Sequence, residues 1–292
     1  MGTTAGRMRP VMVAVDGSGD GLRALRYAVQ EATRLDSVLR IVHVQQQMVL
    51  MAPMMPLVPD PTLHEVAAQI VKEAEAQARE FGYGRPELES VLATGPRNSA
   101  LLESAADVSC VVVGRRSSPL QHLVGGSTTS SLAAHATVPV VSVTEGWRPL
   151  PPRGVVAVGL DDSDYAADVL RAAWSAARSR GARLAVVHAW RPLNEYDVAI
   201  GTRALADAWT EATRTSLVRW VRDNAPDAEL EWTVLPRYET ATVALHEISE
   251  AADLLVLGRH GHGRRHGPGL GLGSTVRTML RAGDCPVMVI PS

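Results

Sequence analysis

Neither sign of charge is in surplus along this chain: 29 Lys and Arg stand against 31 Asp and Glu. An electrostatic grip on nucleic acid or anionic lipid needs a basic excess, so neither is expected as a partner. Cysteine is scarce too, with two in 292 residues. Cys110 and Cys285 sit in no metal-binding or redox spacing, and such sparse use fits a reducing, cytoplasmic setting. No stretch reaches the ~18 consecutive apolar residues a membrane span requires. Residues 1–10 lack the apolar core of a signal peptide. Gly6 stands where a myristoylation signal wants Ser or Thr. The chain is therefore expected in the cytoplasm, away from membranes.

What the chain does have, it has twice. Asp16, closing the apolar run Val11–Val15, is matched by Asp161, closing Val155–Leu160, 145 positions later. Ile41-Val42-His43-Val44 is echoed by Val186-Val187-His188-Ala189 at the same offset. The run from Ala100 to Gly114 corresponds to Ala244 through Gly258 at 144, and Pro139-Val140 to Pro286-Val287 at 147. A repeat of this length implies two homologous units, each of about 140 residues and large enough to bury its own core. The boundaries read as 9–145 and 154–292, joined by a linker over 146–153 that Pro149, Pro151 and Pro152 stiffen.

Within each unit, short unbroken apolar runs alternate with helical periodicity. In the first, residues 10–16, 41–44, 88–93, 110–113 and 138–143 read as strands. Leu22, Leu25, Ala28, Val29 and Ala32 mark one helix, and Val66, Ile70, Ala74, Ala78 and Phe81 the next. A third helix, capped by Asn98 or Ser99, runs to Ala106, and a fourth covers 128–135. The second unit repeats the plan, with strands at 155–160, 184–189, 230–235, 254–257 and 287–290 and helices at 165–180, 204–224, 241–251 and 275–282. Runs apolar on both faces, separated by helices, predict two tandem doubly wound, parallel five-stranded α/β sheets. Gln45–Pro61 stands apart, with Met48, Met51, Met54 and Met55 interleaved with prolines. It reads as a loop folded onto its domain, the alternative being a flap or partner-binding surface.

In such sheets ligands lie beyond the carboxyl ends of the strands, where strand order reverses. Asp16 ends the first strand, and Val111-Val112-Val113 stops at Gly114, after which Gly125-Gly126-Ser127-Thr128 opens a helix. The second copy is Leu254-Leu255-Val256-Leu257-Gly258-Arg259-His260-Gly261, followed by Gly271-Leu272-Gly273-Ser274-Thr275. A carboxylate suits an adenine amino group or a ribose hydroxyl, and a glycine loop leading into a helix start suits phosphates. No Gly-Lys-Ser/Thr follows the strand, and Gly114 does not open a Gly-x-Gly-x-x-Gly fingerprint.

Both halves resemble the universal stress protein family. The likeness is carried by Asp16-Gly17-Ser18, by His43-Val44 after the second strand, by the glycine loops, and by the endings Val138-Pro139-Val140 and Cys285-Pro286-Val287. Its ATP-binding members carry Gly-x2-Gly-x9-Gly-Ser/Thr after the fourth strand. The resemblance implies a Rossmann-like five-stranded fold, ATP (or AMP or ADP) as a regulatory ligand with Mg accompanying ATP, no strong catalysis, pairing of domains within the chain and a homodimer. Carried over, it implies a nucleotide site of Asp16, Val44, Gly114, Gly126, Ser127 and Thr128 in the first half. In the second half the site is Asp161, Gly258, Gly261, Gly273, Ser274 and Thr275.

Neither loop matches the pattern fully. Ser117 replaces the second glycine in the first copy and Gly126-Ser127 comes one residue early. The second keeps Gly258 and Gly261 but is longer, so Gly273-Ser274 comes two residues late. If one half binds, the second is expected to. The alternative is an interaction module of the same fold whose phosphate loops have degenerated. Arg115, Arg116, Arg259, Arg264 and Arg265 are candidate phosphate cations or plain loop residues. His260, His262 and His266, spaced by glycines without a carboxylate nearby, assign no metal site. Asp16 and Asp161 have helix capping as their plainer role. His43 and His188 are expected to satisfy local hydrogen bonds, and no catalytic set is assigned.

Overall fold

A computed structural model describes residues 8–45, 61–115, 128–149, 151–190, 203–226, 229–261 and 271–291. The contact pattern divides the chain into two units, Met1–Pro149 and Leu150–Ser292. In the first, the strands are β1 (Val11–Ala14), β2 (Leu39–Gln45), β3 (Leu88–Thr94), β4 (Cys110–Gly114) and β5 (Val140–Val143). The helices between them are α1 (Gly19–Arg34), α2 (Pro61–Phe81), α3 (Arg97–Ser104) and α4 (Thr128–His135). All the pairings are parallel, in the order β3-β2-β1-β4-β5. Right-handed crossovers in that order place α1 and α2 on one face and α3 and α4 on the other.

The second unit has β6 (Val155–Gly159), α5 (Ala166–Arg180), β7 (Arg183–Ala189), α6 (Arg203–Asn224) and β8 (Trp232–Arg237). It continues with α7 (Ala241–Ala251), β9 (Leu254–Gly258), α8 (Ser274–Ala282) and β10 (Val287–Ile290). Its order is β8-β7-β6-β9-β10, again wholly parallel. Direction therefore reverses between β1 and β4 in one unit and between β6 and β9 in the other. Asp253 anchors the start of the second unit, accepting the backbone N–H groups of Arg153 (2.8 Å), Gly154 (2.7 Å) and Val155 (3.1 Å).

The strands are apolar on both sides because both are covered. Val11, Met12, Ile41, Val111 and Val112 are fully buried, as are Val156, Ala157, Leu254 and Leu255. Trp174 on α5 is the largest of the fully buried side chains among the described residues. Cys110 and Cys285 are buried thiols, and desolvation pushes that of Cys285 up to about 12, which leaves it unreactive at neutral pH.

Two local readings of the sequence are corrected. The buried face of α2 is Ala67, Val71, Ala74 and Ala78, whereas Val66 is 58% exposed. Ala74 and Ala78 are buried as expected and Ile70 is half-buried; only at the start of the helix does the small Ala67 take the inward position in place of Val66. The third helix starts at Arg97, with Pro96 at the N-cap and no side-chain cap, so Asn98 and Ser99 lie inside the helix rather than capping it.

At the start of α1 the capping residue is Ser18, whose Oγ accepts the Gly21 N–H at 3.1 Å. Removing that acceptor leaves a first-turn amide unsatisfied. Ser18→Ala is expected to destabilise the first unit by about 1 kcal/mol, read from the urea midpoint. α5 ends in Gly181 at φ +59°, a left-handed C-cap.

Candidate functional site

Each reversal of strand order opens a cavity at the carboxyl ends of the strands. The chain builds both floors alike. β1 runs on through Val15 to Asp16, and Gly17, at φ +76°, turns it into the α1 cap. One oxygen of Asp16 accepts the Ser18 N–H at 3.2 Å and also the Ser18 hydroxyl. In the second unit Asp161 Oδ1 accepts the Ser163 N–H at 3.1 Å. Neither aspartate caps a helix: Ser18 does so in α1, and the N-cap of α5 is Tyr165. The plainer reading is thereby replaced by a turn two residues long that holds each carboxylate at the cavity wall.

His43 and His188 are duplicated as well. Nδ1–H of His43 donates to the Val15 carbonyl at 2.9 Å, and that of His188 to Leu160 at 3.0 Å. Each ring thus ties β2 or β7 to the residue just before the aspartate. Such a bond sets the ring tautomer, with the proton on Nδ1.

The first cavity measures about 70 Å³ and is lined by Asp16, Val44, Gly114 and Thr128, four of the six residues expected there. Gly126 and Ser127 lie outside the described residues, as do Arg116 and the segment 46–60. The second cavity is larger, at about 320 Å³, and brings together Asp161, Gly258, Gly261, Gly273, Ser274 and Thr275. A Cβ added to Gly261 would stand 3.0 Å from Oδ2 of Asp161, so this glycine faces the carboxylate directly. The Gly273 N–H donates to the Arg259 carbonyl at 3.1 Å, which closes the loop against the strand end and seats α8. The amides of Ser274, Thr275 and Val276 open that helix and have no carbonyl four residues earlier within it to bond. They are the groups that would meet an anion.

Other lining residues went unassigned in the sequence. Ala189 lines the second cavity at the position of Val44, and the repeat offset alone would have found it. Ser18 and Ser163, Leu101 and Leu245 are matched pairs of the same kind. Arg97, at the start of α3, lines the first cavity where Ala241 lines the second. No motif signals it, because it comes from a helix far from the glycine loop in sequence. Neither Arg115 nor Arg259 is among the residues lining these two cavities. Burial pushes the Arg259 guanidinium below its ordinary value. His260 lines the second cavity; Arg264, Arg265, His262 and His266 lie outside the described residues.

Comparison with known proteins bears on this doubled arrangement. The model of the universal stress protein family matches residues 8–144 and again residues 153–291. The chain belongs to the universal stress protein family.

As a tandem member it is 29% identical to a universal stress protein of Mycobacterium tuberculosis, across 96% of this chain and 94% of that one. A universal stress protein of Mycolicibacterium smegmatis is 27% identical, across 96% of each. Among solved structures, a universal stress protein from Archaeoglobus fulgidus superposes with a TM-score of 0.71 at 17% identity, covering 98% of this chain and 97% of that one. This last likeness speaks to the fold. No helix among the described residues is long and apolar enough to cross a membrane.

Proposed function

We propose that this universal stress protein binds an adenine nucleotide, ATP foremost, as a regulatory ligand in its second half. The reading rests above all on the second cavity, where a carboxylate, three close glycines and a helix start converge on one space. Asp161 would accept from a ribose hydroxyl or the adenine amino group. The amides of Ser274, Thr275 and Val276, with the Ser274 and Thr275 hydroxyls, would meet the phosphates. Ligand pockets commonly run from about 300 Å³ upward, a size that the second cavity, at about 320 Å³, reaches and the first, at about 70 Å³, does not. That difference favours the degenerate-loop reading for the first half, which would then serve as an interaction module.

Binding is proposed without turnover. In the second half the His188 ring is bonded through Nδ1 to the Leu160 carbonyl, as the His43 ring is to that of Val15, so each Nδ1 serves the backbone rather than a cavity hydroxyl. In calorimetric titration of the full chain with ATP and Mg, close to one nucleotide per chain is expected, with phosphate release no higher than a buffer blank. Absence of heat and of any thermal shift at millimolar ATP would overturn the nucleotide reading. Steady ADP release would replace it with a hydrolase.

A further inference from the structure

A second constellation lies at the opposite end of the second sheet, away from the cavity. His246 and Glu250 are one turn apart on α7, and Asp284 sits in the turn between α8 and β10. The three offer ligand atoms that all lie within 4.8 Å of one another. We propose that His246, Glu250 and Asp284 form a divalent transition-metal site that staples α7 to the turn leading into β10.

The donor chemistry is specific. Imidazole nitrogen and carboxylate oxygen are both zinc ligands, and three of them leave a fourth position for water, while the imidazole favours zinc and its neighbours over magnesium or calcium. The geometry agrees with that ion. Two ligands at about 2.0–2.1 Å from a tetrahedral metal stand roughly 3.3 Å apart, and His246 Nδ1 lies 3.2 Å from Asp284 Oδ2. These two atoms already span one edge of a tetrahedron. Glu250 offers its carboxylate within 4.8 Å of both.

The surroundings hold the set in place and leave it open to an ion. Ser249, fully buried between the two ligands of α7 in sequence, accepts the Asp284 N–H at 3.1 Å and so holds the loop that carries the carboxylate. The side chains of His246 and Asp284 are each 48% exposed, which gives the ion an entry path. The sister unit shows that the fold alone does not demand these residues. At the three matching positions it carries Leu102, Ala106 and Thr137, none of which suits a metal. All three ligand types are found together in the second unit.

The ordinary alternative is a surface His–Asp hydrogen bond with no ion, and titration separates the two. Zn²⁺ alone is titrated into the chelator-treated full chain, with a competing chromophoric indicator. One equivalent is expected to bind at this site, and Co²⁺ in its place to show the visible bands of a four-coordinate ion. His246→Ala and Asp284→Asn are each expected to weaken that binding at least a hundredfold. A variant with His260, His262 and His266 all changed to Ala is expected to keep it. At zinc a hundredfold above its dissociation constant, the folding equilibrium of the unit shifts about a hundredfold. The resulting rise in thermal midpoint should be absent in His246→Ala, whose metal-free midpoint reports that it is folded. The proposal is overturned by any of three results: no zinc bound at micromolar concentration, undiminished binding in His246→Ala, or loss of binding with the loop-histidine variant instead. Each outcome leaves the nucleotide reading untouched, since the two sites share no residue.

Discussion

Gly114→Ala is expected to destabilise the first unit by about 2–3 kcal/mol, whereas the matching Gly258→Ala costs about 1 kcal/mol or less. A Cβ on Gly114 would stand 2.6 Å from the carbonyl carbon of Asp20, in the backbone of the first turn of α1. That backbone belongs to the helix seated by the Ser18 cap, so relief requires moving α1 away from β4. A Cβ on Gly258 meets a side-chain methyl of Val169 at 3.1 Å, and beyond it the His260 carbonyl at 3.5 Å. The methyl can rotate aside. Differential scanning calorimetry checks the contrast. Two to four degrees per kcal/mol, expected at this domain size, puts the first variant about 4–12 °C below the parent in the transition of its own unit. Equal losses from both variants would mean the two glycines serve the same purpose. The expected inequality would show that Gly114 is required by helix packing as well as by any approach of a phosphate.

Asp161→Ala is expected to weaken ATP binding by about 10- to 100-fold, while Asp16→Ala changes it less than about threefold. Hydrogen bonds to a charged group contribute about 1.5–3 kcal/mol, and each 1.4 kcal/mol is a factor of ten in affinity. The asymmetry follows from the cavities, since only the second is of ligand size. Both aspartates also hold a turn, through the N–H of Ser18 and Ser163, so Asp161→Ala should lower the thermal midpoint slightly without nucleotide. Asp161→Asn keeps that acceptor and loses the charge, and calorimetry on both variants divides the turn from the contact. If Asp16→Ala proves the damaging change, the site belongs to the first half. If neither matters, the interaction-module reading takes over.

Much of this was open to a reader of the sequence because it is encoded locally. An unbroken run such as Val111-Val112-Val113 can only be buried on both faces. A duplicated Asp after a strand, and a duplicated Gly-Ser-Thr before a helix, mark the same end of two sheets. The His43 and His188 bonds follow from one spacing used twice. Less was readable where packing among small residues decides. Ala67 faces the sheet in place of Val66, because a helix lying close on strands selects for volume as well as hydrophobicity. Arg97 was invisible for another reason: it reaches the first cavity only because α3 begins where β3 ends, beside strands distant in sequence.

By itself, then, the sequence determined the two units, their parallel α/β plan, the family, and which residues stand at the strand ends. Periodicity and repetition are properties of the chain and need no third dimension. Tertiary structure alone decided which cavity has room, which glycine is held by backbone rather than by a side chain, and that His246 meets Asp284. Those outcomes depend on distances between segments tens of residues apart, and a one-dimensional pattern carries no such distances.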